Sequence, residues 1–294
     1  MTDKTRSIYL SSSDGMRLYA RVYGDPASTK LPIVCLPGLT RNADDFDAIA
    51  NELVARDPAL KIIALDYRGR GRSQFARDAS HYSVAVEAVD VRQVLAALGI
   101  TRAIFIGTSR GGLITMLLAL TAPELIAAVI LNDIGPVLET GGLQRIASYV
   151  GKGSMPKTMD EALARTKEIN PDFTDLDEDE WHHLARMSFR ETSTSGVALT
   201  YDAALSRGFL ALDFSKPQPT LWPLFDALKP VPALVIRGEN SDLLSEATVK
   251  EMVTRHPQCS YFTASNEAHA PLLGRPKSVE VILGFIEALH PIKF

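Results

Sequence analysis

A serine hydroxyl attacks an electrophilic carbon only when a neighbouring base takes its proton, so a serine at a strained apex between glycines is a chemical signal. Residues 103–120 contain one. Ala103 to Ile106 is an apolar run of strand length, Gly107-Thr108-Ser109-Arg110-Gly111-Gly112 is a glycine-rich turn, and the apolar stretch to Leu120 reads as a buried helix. This is the strand–turn–helix context that a G-x-S-x-G nucleophile turn requires. A serine held at positive φ leaves no room for Cβ atoms two positions either side, which accounts for Gly107 and Gly111. Such a turn lifts the Ser109 hydroxyl above the carboxyl end of its strand. It also aims the N–H groups at the start of the next helix toward any developing negative charge.

The serine needs a base, and the base an orienting acid. His81 follows an arginine-rich turn, His182 and His183 are adjacent on a helix, His256 precedes Pro257, and His290 is nearly terminal. His269 lies in SNEAHAPLLGRP, after the last predicted strand and before the last helix. That is the sheet end where Ser109 must also lie, so His269 is the expected base. Two acids compete. Asp242 follows the strand Ala233 to Ile236, and Asp133 ends the strand before it. Asp242 is the favoured acid and Asp133 the alternative, because Asp133 has other work open to it, such as capping or pairing with Arg110. The Arg110 guanidinium itself either binds a substrate carboxylate or forms a buried ion pair, with Asp133 its expected partner.

The elements around these residues alternate. Two strands meet at Asp14-Gly15, a hairpin signal. Buried strands follow at Pro32 to Leu36, Lys61 to Leu65, Ala103 to Ile106 and Ile126 to Leu131, separated by helices over Asp44 to Arg56, Val84 to Leu98 and the segment after Ser109. From roughly Pro136 to Pro219 the pattern is helical without buried strands: Leu143 to Val150, Met159 to Ile169 and Asp177 to Phe189, the last with a capping-box spacing at Asp177 and Glu180. Alternation then resumes with the strand Ala233 to Ile236, the helix Glu246 to Arg255, a strand around Ser260 to Thr263 and the helix Ser278 to Leu289. The expected fold is therefore α/β, a mainly parallel sheet flanked by helices. Its core is expected in two parts, 1–136 and 220–294, with a helical cap insertion over 137–219.

The chain has 294 residues, 46% hydrophobic and 22% charged, with a formal net charge of −4. That balance gives no pull toward nucleic acid or anionic membranes. No apolar N-terminal segment of the secretory kind and no stretch of about 18 apolar residues occurs, so a cytoplasmic location without membrane attachment is expected. Cys35 and Cys259, each in a run read as an interior strand, are expected to be free thiols. No zinc-type Cys/His spacing is present, and no cofactor or metal is expected. The acidic run Asp172 to Glu180 fails as a calcium loop, since Glu180 stands where glycine is needed and Arg186 where glutamate is needed. The turn DYRGRGRS, Asp66 to Ser73, lacks the G-x-x-x-x-G-K-[ST] pattern and reads as structural, its arginines pairing locally.

GTSRGG, DYRGRGRS, RGENSD and the late AHAP occur in the order, and over nearly the full length, that resembles the α/β-hydrolase fold superfamily. The order Ser, Asp, His is also that superfamily's. The resemblance implies Ser109 as nucleophile, Asp242 as orienting acid and His269 as base. It places the oxyanion hole at the backbone N–H groups of Leu39 and Arg110, here preceded by Pro37-Gly38 where many relatives carry His-Gly. A serine rather than an aspartate nucleophile argues against dehalogenase and epoxide-hydrolase chemistry. The expected activity is hydrolysis of a small or medium, apolar carboxylic ester or lactone. The alternatives are C–C bond hydrolysis of aromatic ring-cleavage products and a slow or non-catalytic ligand receptor. Phe173, Trp181, Met187, Phe189, Tyr201, Phe209 and Phe214 of the insertion are expected to form mostly its own core. Two or three of them are expected to line an enclosed, mainly apolar pocket.

Overall fold

The structure is a computed structural model and describes residues 5–193, 196–210, 212–216 and 218–289. In chain order it runs β1 (Arg6–Ser11), β2 (Arg17–Gly24), β3 (Ile33–Leu36), α1 (Asp47–Arg56), β4 (Lys61–Asp66), α2 (Val84–Ala97), β5 (Ala103–Thr108), α3 (Arg110–Thr121) and β6 (Ile126–Asn132). It continues with α4 (Thr140–Tyr149), α5 (Met159–Ile169), α6 (Glu178–Ser188), β7 (Phe189–Thr192), β8 (Gly196–Leu199) and α7 (Trp222–Asp226). The last elements are β9 (Ala233–Gly238), α8 (Glu246–Arg255), β10 (Cys259–Ala264) and α9 (Pro276–Leu289).

Eight strands form one sheet in the order β1-β2-β4-β3-β5-β6-β9-β10. The first two pairings, β1 with β2 and β2 with β4, are antiparallel, and the rest are parallel. Every residue of β3, β5 and β6 is buried, because these strands are covered on both faces. Alternate side chains divide between the two faces. Ile104 and Ile106 of β5 pack with Ile49 and Leu53 of α1 and Ile282 and Ile286 of α9. Phe105 packs on the other side with Val91 and Leu95 of α2, Ile114 and Leu118 of α3, and Val249 and Met252 of α8. The α/β expectation holds. Cys35 is buried and free as expected, whereas Cys259 is also free but only partly buried, because β10 is an edge strand.

The segment between β6 and β9 differs from the expectation in one respect. Helices occur where the periodicity placed them, and Asp177 and Glu180 form the reciprocal capping box. The segment also contains the antiparallel hairpin β7–β8, with Phe189 opposite Leu199. Its strands are four residues each and partly exposed, so they show no buried apolar run. The hairpin's exit grips the turn after β4: Gly71 N–H donates to Thr200 O at 2.7 Å, and Asp202 N–H to Gly69 O at 2.8 Å.

Candidate active site

The turn between β5 and α3 holds Ser109 at φ 50°, a conformation most side chains avoid. Its neighbours must then be glycine. A Cβ on Gly107 would lie 2.6 Å from Gly111 C, and one on Gly111 would lie 2.0 Å from Leu36 O, both far inside contact distance. The turn is tied to the next strand by Ser109 N–H donating to Asn132 O at 2.9 Å. The Ser109 hydroxyl thus emerges at the carboxyl end of the sheet.

His269, on the loop between β10 and α9, reaches it. Its Nε2 lies 2.9 Å from Ser109 Oγ, and its Nδ1 lies 2.8 Å from Asp133 Oδ2. The hydrogen-bonded chain therefore runs Ser109–His269–Asp133. Asp133 is fully buried at φ 53° directly after β6. Its carboxylate is satisfied on all sides: Gly238 N–H donates to Oδ1 at 2.8 Å, and Ser241 Oγ–H donates to Oδ2 at 2.5 Å. Such an acceptor holds the imidazole with its proton on Nδ1 and its Nε2 lone pair toward the serine.

The favoured acid, Asp242, is not the one beside the imidazole. Arg145 of α4 holds its carboxylate with two bonds, Nε to Oδ2 at 2.6 Å and Nη2 to Oδ1 at 2.9 Å. Burial raises the Asp242 pKa, but this guanidinium, with smaller help from the His269 charge and a backbone hydrogen bond, keeps the carboxyl below its usual range. The reason lies in strand order. The strand before Asp133, β6, is the immediate neighbour of β5, whereas β9 lies one strand further out.

Arg110 also has a different partner from the one expected. Its Nε donates to Glu87 Oε2 at 2.7 Å and its Nη2 to Tyr82 O at 3.2 Å. Asp133 cannot serve, being committed to His269, Ser241 and Gly238. The backbone N–H groups of Leu39 and Arg110 find no protein acceptor among the described residues. Leu39 belongs to the loop after β3, which passes beside the serine: a Cβ on Gly38 would lie 4.0 Å from Ser109 Cβ. Two free donors on the separate loops that flank the serine are groups that could receive an oxyanion.

A cavity of about 400 Å³ opens over Ser109 and His269. Ile146, Tyr149, His183 and Leu184 are among the residues that line it from the segment between β6 and β9. None of the seven large side chains singled out from the sequence does. Phe173 and Trp181 instead pack edge to face, 6.3 Å between centroids, in a small cluster with Leu184 and Ala268. Most of the cavity's surface is apolar, as expected, and Arg41, Asp45, Glu180 and Arg275 stand on its walls as well. Of the other histidines, His256 is buried with Nε2 2.9 Å from Leu228 O, and burial lowers its pKa. His290 lies outside the described residues. No cluster of three or more metal-ligating side chains occurs among the described residues, and no described helix is long and apolar enough to cross a membrane.

Residues 32–276 match the family model described as alpha/beta hydrolase fold, and the chain belongs to that family. A 3-hydroxybutyrate-oligomer hydrolase from Cupriavidus necator is 33% identical over 276 residues, 90% of this chain and 91% of that protein. An sn-1-specific diacylglycerol lipase, ABHD11, from Xenopus tropicalis is 28% identical over 81% of this chain and 73% of its own. The crystal structure of an alpha/beta hydrolase from Novosphingobium aromaticivorans superposes with a TM-score of 0.88 at 39% identity, covering 98% of this chain and 99% of that one. These relatives are hydrolases, and this chain has the fold of one.

Proposed function

We propose that this protein is a serine hydrolase of carboxylic esters, working through an acyl-enzyme on Ser109. The observation that carries the reading is the continuous Ser109–His269–Asp133 chain facing a cavity. His269 takes the serine proton as Oγ attacks the carbonyl, and Asp133 stabilises the imidazolium that results. The N–H groups of Leu39 and Arg110 receive the tetrahedral oxyanion. His269 then returns the proton to the leaving alcohol, and the same groups assist water in releasing the acid. The relative that cleaves oligomers of a short hydroxy acid supports a small or medium acyl group, as does the size of the cavity.

The test is turnover of p-nitrophenyl esters from acetate to long acyl chains by wild type and Ser109→Ala. Wild type is expected to favour short or medium chains. Ser109→Ala is expected to lose about six orders of magnitude in kcat while staying folded. Absence of Ser109-dependent turnover from folded wild type would sink the ester reading.

A further inference from the structure

Two charged side chains with no exposure, Arg70 and Glu87, lie outside the cavity lining. The Glu87 carboxylate, on α2, accepts from two guanidiniums at once. Arg70 Nη1 donates to Oε1 at 2.7 Å, and Arg110 Nε donates to Oε2 at 2.7 Å. The other side of Arg70 donates from Nε to Leu39 O at 2.8 Å. An unbroken path thus runs from the Leu39 carbonyl through Arg70 and Glu87 to Arg110, whose ends are the two residues with free backbone N–H groups on the loops beside Ser109.

We infer that Glu87 and its two arginines are a clamp that sets the spacing of the oxyanion hole. The inference rests on the ester-hydrolase reading above. An oxyanion hole works only if both donors lie within about 2.7–3.1 Å of the developing charge. Here they come from different loops, after β3 and after β5. The clamp joins those loops from behind the reacting atoms. Burying such charges confers little net stability over well-packed apolar side chains, so what the clamp contributes is geometry. Arg70 is further oriented by the rings of Tyr67 and Tyr82, whose centroids lie 5.6 and 5.5 Å from its guanidinium carbon. Its Nη2 is buried without a hydrogen-bond partner, consistent with a group fixed by the direction of its other bonds.

Arg70→Met and Arg110→Met test this, because each leaves Glu87 one cation and avoids a buried unpaired charge. Both keep the backbone N–H groups. With p-nitrophenyl butyrate, each is expected to lower kcat roughly 10- to 100-fold, the scale of a misplaced donor, with KM within about 3-fold. Affinity for a trifluoromethyl ketone, which forms the tetrahedral adduct, should fall by the same factor. Arg110→Lys should recover part of the loss. In Arg70→Met, amide hydrogen exchange in residues 38–41 should accelerate, a readout independent of turnover. Asp90→Asn is the matched control: it breaks the buried side-chain pair Arg68–Asp90, 2.6 Å apart in the same turn and helix, and removes no group that bonds Arg70, Glu87 or Arg110, since Arg70 Nη1 meets Arg68 at its backbone O, 2.7 Å away. It should lower stability and leave kcat and inhibitor affinity in place. If folded Arg70→Met and Arg110→Met keep wild-type kcat and inhibitor affinity, or lose no more than Asp90→Asn, the inference is overturned. Wild type with no Ser109-dependent turnover would instead overturn the reading beneath it, and the clamp's catalytic role with it. If one variant does not fold, the other carries the test.

Discussion

Asp133 and Asp242 differ in what surrounds them more than in where they lie in the chain. Asp133 has no exposure and faces an imidazole, an amide N–H and a hydroxyl. The Asp242 side chain is 27% exposed and faces Arg145. Removing the Asp133 charge favours the wrong imidazole tautomer, so Asp133→Asn is expected to lower kcat by about 10³–10⁴-fold. Asp242→Asn should leave kcat within about 3-fold and cost about 1 kcal/mol or less of stability, the scale of a partly exposed ion pair. Steady-state kinetics of the two variants separates them; equal losses would return Asp242 to the mechanism. The comparison also shows what the sequence can and cannot reveal about a site. Ser109 is marked by its own neighbours, and His269 by standing after the final strand. The acid is decided by which strand lies beside β5, and neither LNDIGP nor RGENSD carries that information. The Arg110 partner was out of reach for the same reason, since Glu87 looks like any polar residue on a helix.

At the scale of elements, the strand–turn–helix unit is over-determined. Long apolar runs announce β3, β5 and β6 because both of their faces are covered, whereas β7 and β8 are short, partly exposed and silent in the sequence. The packing around the elbow makes a sharp prediction about glycine. Gly111, in the first turn of α3, lies against the Leu36 carbonyl, and an added methyl there meets backbone on a buried strand that cannot yield. Gly111→Ala is expected to cost about 3 kcal/mol or more. Gly284 is also helical, within α9, but an added Cβ meets nothing within 4 Å. Gly284→Ala should therefore stabilise by about 0.5–1 kcal/mol through the lost freedom of the unfolded chain. Urea unfolding of both variants checks the contrast. Stabilisation by Gly111→Ala would show that helix propensity, rather than the close approach to Leu36, governs position 111.

At the scale of the whole molecule, the loop carrying His269 is also where the sheet meets the segment between β6 and β9. Arg275 donates from Nε to Glu180 Oε1 at 2.7 Å and from Nη1 to Asp175 at 2.8 Å, and Thr174 N–H donates to Asn266 O at 3.2 Å. Glu267 is buried within this junction at 3% exposure, its carboxyl accepting from Leu272 N–H at 2.6 Å. Burial pushes its pKa up from 4.5 to about 7, against the opposing pull of that N–H and of Arg275. The folded protein therefore keeps a proton on Glu267 between about pH 4.5 and pH 7 that the unfolded chain has lost. Where the folded state binds more protons, stability falls as pH rises, so this group costs stability progressively across that window and by its full amount above it. Glu267→Gln keeps the shape and an oxygen for the Leu272 N–H while removing the titration. Its Tm relative to wild type should be higher at pH 8 than at pH 5. Activity at pH 8 should persist, since His269, Ser109 and Asp133 are untouched. A Tm difference equal at the two pH values would show that the carboxyl titrates normally, leaving the junction's pH response to the Arg275 ion pairs.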